Sequence, residues 1–173
     1  MAQPPVLTHP DYYEALNKSI STYPKDSVVD LVHVTIPGNP AHPIHKHFEH
    51  AWVMGGGIGP FNYTSITEAE AAGLPIQWDS PPLRDGWLTF AAPNNDTAWF
   101  IVRYKAETAA AVLLHCHIEP HRAGGMAWVM NQGPEDYPEL PDYYEYRANG
   151  WAPYTPLPFG SNDLSIPAIT ESV

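Results

Sequence analysis

The chain has 173 residues, 44% of them hydrophobic, and 19 acidic against 8 basic side chains give a formal net charge of −11. That length and apolar content support one domain with a real core and exclude an extended disordered chain. The acidic balance excludes nucleic acid and anionic lipid as partners, no apolar run approaches the roughly 20 residues of a membrane helix, and the single cysteine excludes an internal disulfide.

Twenty prolines and twelve glycines cut the sequence into short pieces, as an all-β domain requires. In chain order, the pattern predicts a helix over residues 11–19 and a β-branched strand over 28–36, closed by the turn Pro37-Gly38-Asn39-Pro40. A strand over 51–54 follows. The next element is a helix over 67–72, with Thr67 as N-cap, Glu70 completing a capping box and Gly73 as the stop. Further strands are expected over 87–90, 97–105, 111–117 and 126–130, and this spacing suggests a sandwich or small barrel. Residues 134–146 are acidic and tyrosine-rich and accommodate a helical turn, while 151–173 read as a surface-wrapping terminus. The division is therefore an N-terminal extension over 1–27, a β-domain over 28–135 and an acidic, proline-rich tail over 136–173. The first residues lack the charged and apolar regions of a signal peptide, whereas three Asn-x-Ser/Thr sequons, at Asn17, Asn62 and Asn95, lean towards a secreted protein.

The histidines carry the chemistry. The first cluster is His42-Pro43-Ile44-His45-Lys46-His47, and the second is His115-Cys116-His117 followed by His121 and Gly125-Met126. Alternate side chains on a strand share a face, so His45 pairs with His47 and His115 with His117, while Cys116 points to the opposite side. Two ligand sets follow. His42, Cys116 and His121, with Met126 as a long, weak fourth contact, form a trigonal His₂Cys set with an axial thioether, the blue-copper arrangement. The four remaining imidazoles form a donor set for copper or zinc. A structural zinc site is disfavoured by the single cysteine. A cupin reading needs a Glu and a later His at spacings that the sequence after His47 does not supply. His9, His33 and His50 read as ordinary structural histidines, and Arg84 with Asp85 as a structural ion pair.

On these two motifs the chain resembles the C-terminal, third cupredoxin domain of a multicopper oxidase, specifically the laccase-like enzymes of filamentous ascomycete fungi. The similarity runs over about residues 28–135 and extends to Pro81-Pro82-Leu83-Arg84-Asp85-Gly86 and Trp99-Phe100-Ile101-Val102-Arg103-Tyr104. The resemblance implies an all-β, cupredoxin-like Greek-key sandwich with short helices and an irregular C-terminal tail. It implies a type 1 copper held by His42, Cys116 and His121 with Met126 axial, a type 2 copper on His45, and a type 3 pair on His47, His115 and His117. Cys116 and His121 become the catalytic residues, His121 taking the electron from a phenolic substrate near the surface. Phe48 and Glu49 depart from the Gly-His that often follows the third histidine.

The family's trinuclear cluster uses four His-x-His pairs, and this chain has two. The resemblance therefore implies a partner polypeptide carrying the first two cupredoxin domains, with O₂ as the terminal acceptor. The alternative is a mononuclear blue-copper electron carrier without oxidase activity. Such a carrier has no use for His45, His47, His115 and His117, which favours the oxidase subunit.

Overall fold

Residues 20–139 are described by the computed structural model; the helix expected over 11–19, the sequon at Asn17 and the tail from residue 140 onward lie outside the described residues. In chain order the elements are β1 (Ile20–Tyr23), β2 (Val28–Thr35), β3 (Pro43–Lys46), β4 (Ala51–Ile58), α1 (Ile66–Ala71), β5 (Leu83–Arg84), β6 (Gly86–Leu88), β7 (Ala98–Lys105), β8 (Ala110–Cys116), α2 (Glu119–Ala123) and β9 (Ala127–Gln132), with a 3₁₀ turn at Pro134–Asp136. One sheet has the order β1-β9-β8-β3-β6 and the other β2-β7-β4-β5. The β-sheet pairing is antiparallel except between β1 and β9.

Period-two alternation decides what the sheets bury between them. Ile44 of β3, Trp87 of β6, Phe100, Val102 and Tyr104 of β7, Val112, Leu114 and Cys116 of β8 and Met130 of β9 form one buried cluster. Strand β7 reads as a continuous apolar run because its other face is covered too. There Trp99 and Ile101 pack with Met54 and with Ile66 of α1. Gly55 makes this second layer possible. It sits at a break in the β4–β7 register with φ +143°, and a Cβ there would stand 2.8 Å from the Pro75 carbonyl oxygen.

Helix α1 begins one residue earlier than expected and uses a different cap. The Ser65 hydroxyl accepts from the Glu68 N–H at 3.1 Å, and the Glu68 carboxylate reaches back to Thr64. Both Ser65-Ile66-Thr67-Glu68 and Thr67-Glu68-Ala69-Glu70 satisfy the capping-box pattern. The earlier one wins because it brings Ile66 and Ala69, three residues apart and both buried, onto one helical face. Strand β1, like the short β5 and α2, was not expected. It lies within residues 1–27 and pairs in parallel with β9, Ile20 opposite Val129.

Candidate metal centre

The two histidine motifs meet because β3 and β8 are neighbours in register, with Ile44 opposite Cys116 and His45 opposite His115. Two further bonds prolong this pairing past the strand ends, from His47 N–H to the Leu113 carbonyl at 2.9 Å and from His117 N–H to the Pro43 carbonyl at 2.7 Å. Alternation then sorts the side chains. Ile44, Lys46, Leu114 and Cys116 are buried inside. His45, His47, His115 and His117 gather on the outer face. The ring of His45 lies 5.0 Å from that of His47, 5.6 Å from His115 and 6.4 Å from His117. The separation from His47 to His115 is 5.5 Å and from His115 to His117 5.8 Å.

Cys116 faces away from these rings and is fully buried. His42, just before β3, and His121, within α2, converge on it from separate loops. The Cys116 Sγ lies 3.8 Å from His42 Nδ1 and 3.7 Å from His121 Nδ1, and the two ring nitrogens are 3.1 Å apart. Ligands about 2.0–2.3 Å from one ion lie within about 4.5 Å of each other, so these three donors suit a single metal. A soft thiolate with two imidazoles is a donor set for copper.

Backbone bonds fix the trio. His42 is tied twice to Thr89, and the Ile118 N–H points to the Cys116 sulfur at 3.5 Å. Gly125, at φ +102°, turns the chain from α2 into β9, so that the Met126 carbonyl accepts from Cys116 N–H at 3.0 Å. The Met126 side chain lines an open cavity of about 360 Å³ together with His33, His42 and Thr89.

The imidazoles are prepared for ligation by their surroundings. Burial, and then the neighbouring His121, holds His42 below the usual histidine range. His47 is lowered by burial and by His45, His115 and Lys46. Both shifts favour the neutral ring, the form that ligates a metal. His45 Nδ1 lies 2.9 Å from the Asp85 carbonyl and His115 Nδ1 2.9 Å from the Cys116 carbonyl. A carbonyl only accepts, so in each ring Nδ1 carries the hydrogen and Nε2 keeps its lone pair, the arrangement that orients a ligating histidine.

The remaining sequence assignments divide. His33 is half-buried against Trp87, whose indole N–H donates to His33 Nε2 at 3.3 Å, and desolvation pulls its pKa down to about 4. His50 shares an exposed cleft with His45, His47 and Phe48. The expected Arg84–Asp85 ion pair is not formed. Adjacent residues on an extended backbone point apart, and Arg84 instead donates to the Leu83 carbonyl at 2.8 Å. Asp85 serves through its own carbonyl. Sequence reasoning also passed over Lys46, which is completely buried. The signal was present, since Lys46 shares the parity of Ile44. Burial lowers its pKa, and the Glu49 carboxylate 3.1 Å away opposes that shift.

A two-sheet β-sandwich that brings a His₂Cys trio to one side of a strand and four imidazoles to the other defines a cupredoxin-type copper protein. A multicopper oxidase family profile matches residues 8–136, and the chain belongs to that family. It is 35% identical over 147 residues to multicopper oxidase elcG of Phaeosphaeria nodorum, covering 83% of this chain and 23% of that protein. It is also 35% identical over 144 residues to laccase abr2 of Aspergillus fumigatus, covering 80% and 24%. Among solved structures, the laccase of Botrytis aclada superposes with a TM-score of 0.55 at 22% identity, covering 80% of this chain and 24% of that one, and supports the fold. The chain thus spans about a quarter of the length of the relatives it matches.

Proposed function

We propose that the chain is the third cupredoxin domain of a laccase-like oxidase that takes electrons from phenols. The observation that carries this is the Sγ–Nδ1–Nδ1 triangle of Cys116, His42 and His121, set on the opposite side of β8 from His115 and His117. His42, Cys116 and His121 would hold one copper, with Met126 available as a further, weaker donor. His45 would hold a type 2 copper, and His47, His115 and His117 a type 3 pair, all shared with a polypeptide or further domains supplying two more His-x-His pairs. When bound, copper supplies one-electron oxidation of a phenol at the thiolate site and four-electron reduction of O₂ to water at the shared cluster.

The chain's own residues prepare that chemistry. The buried sandwich end keeps water from the Cys116 sulfur, while half-buried His121 leaves a ring edge within reach of a substrate. The His115 Nδ1–H bond to the Cys116 carbonyl joins the two ligand sets across one peptide. Asn62 and Asn95 are both exposed, as glycosylated sequons of a secreted protein must be. No helix among the described residues is long and apolar enough to cross a membrane.

The test is copper content and oxygen uptake with a phenolic reductant, for the chain alone and with a polypeptide carrying the first two domains. We expect about one tightly held copper and no sustained uptake alone, and sustained uptake with the partner. Uptake at the same rate with and without partner overturns the shared cluster. One copper with no uptake under either condition favours the electron-carrier reading.

A further inference from the structure

We propose that Lys46 is a positioning residue for the His45–His47 pair, its buried ammonium locking the turn that aims the His47 ring; this rests on reading those histidines as ligands. The turn is strained. Phe48 follows His47 at φ 62°, a left-handed conformation that is costly for a bulky residue and persists only where its surroundings impose it. The Phe48 side chain does not impose it, being 62% exposed.

Lys46 does. Its side chain passes inward beneath the turn, and Nζ donates to the carbonyls of His47 and Glu49, the residues on either side of Phe48, at 3.1 Å each. The third ammonium hydrogen goes to Glu49 Oε2, also at 3.1 Å, so every donor of the ammonium has an acceptor. Two carbonyls converging on one cation fix the peptides that flank Phe48. The Tyr104 ring lies 4.1 Å from Nζ and closes the remaining side.

Glu49 fastens the clamp to the other strands. Its Oε1 accepts from Thr108 N–H, just before β8, and from Gln132 Nε2, at the end of β9, both at 2.9 Å. The turn carrying His47 is thereby referenced to the strand carrying His115 and His117. Stability alone does not account for this arrangement, because a buried ion pair can be replaced by apolar residues of similar volume at little cost. The accounted-for consequence is geometric.

The experiment compares Lys46→Met, Glu49→Gln and Phe48→Gly in the full chain. In the metal-free protein, nuclear Overhauser contacts of the His47 ring with those of His45 and His115 report the geometry. Cu(II) titrated into a Cys116→Ser background, followed by its paramagnetic resonance spectrum, reports ligation by the histidine face. Lys46→Met is expected to lose the His47 contacts and weaken Cu(II) by about tenfold, as removal of an outer-shell partner does. With Cys116 intact, the blue absorption at the thiolate site is expected to be unchanged. Phe48→Gly is expected to keep the contacts, because the clamp acts on carbonyls. Glu49→Gln, which preserves shape, is expected to give a smaller loss of the same kind and serves if Lys46→Met does not fold. A folded Lys46→Met or Glu49→Gln chain with every ring contact and the Cu(II) affinity intact overturns the proposal. Absence of Cu(II) binding in the Cys116→Ser chain instead overturns the ligand reading, and the ring contacts still decide the role of Lys46.

Discussion

The two sides of strand β8 present contrasting ligand sets. Inside, three donor atoms from three chain segments stand within 4.8 Å of one another, around a sulfur with no exposure. Outside, neighbouring rings of the four histidines are 5.0–6.4 Å apart between centroids, and His47 and His117 are exposed. The inner set has the closeness of ligands to a single ion; the outer set is an open array with space between its rings. Both arise from the same pleat. Consecutive residues of one strand serve separate sites because adjacent side chains leave the backbone on opposite sides.

The strongest way to break this contrast is Cys116→Ser. A hydroxyl is a harder, poorer ligand for copper than a thiolate, so we expect complete loss of the blue absorption with Cu(II) binding by the outer histidines retained. Loss of both in a folded variant would show that the two sets are one site. His115→Ala is the converse. It should weaken metal binding at the outer face by at least the roughly 10–100-fold that loss of an outer-shell partner costs, while leaving the blue absorption, because Cys116 keeps its inward direction.

A third measurement concerns His33, which lines the same open cavity as His42 and Met126 but belongs to neither proposed ligand set. Its pKa falls from 6.5 to about 4 on burial, so the unfolded chain binds the proton more tightly. The resulting stability is fully present above pH 6.5 and is lost as pH falls through about 4. The full effect is about 3 kcal/mol. Urea midpoints of the metal-free chain at pH 7 and pH 4 should differ less in His33→Gln than in the wild type. The smallest structural effect is expected from Met126→Leu. If Met126 is a weak ligand of the copper, replacing its thioether should raise the potential of the thiolate site and keep its blue colour. An unchanged or lower potential would remove Met126 from the ligand set.

Much of this was legible where a pattern spans enough residues to speak. Strands β2 and β7 follow from their apolar, β-branched runs between turn signals, and the opposed directions of Cys116 and its histidine neighbours follow from alternation. Strand β1 was not legible, because Ile20–Tyr23 is four residues long and its partner lies more than a hundred positions away. The two-residue β5 leaves too little pattern to read. The α1 cap was ambiguous between two overlapping boxes, and only the buried Ile66 resolves it. Lys46 was obscured by its charge. Residue type argued for solvent and strand parity argued for the core, and parity prevailed because Glu49 and two carbonyls were there to receive the ammonium.

The parallel pairing of β1 with β9 has a consequence for the order of assembly. Ile20 pairs with Val129, whereas β8 and β9 meet through a connection of only ten residues between Cys116 and Ala127. Closing the longer loop carries the larger entropic cost, and contacts so distant in sequence form slowly. A chain emerging from the ribosome exposes residue 20 long before residue 129 exists. Until then the Ile20–Tyr23 edge has no β9 to accept it, and the first sheet is completed only after nearly the whole domain has been made.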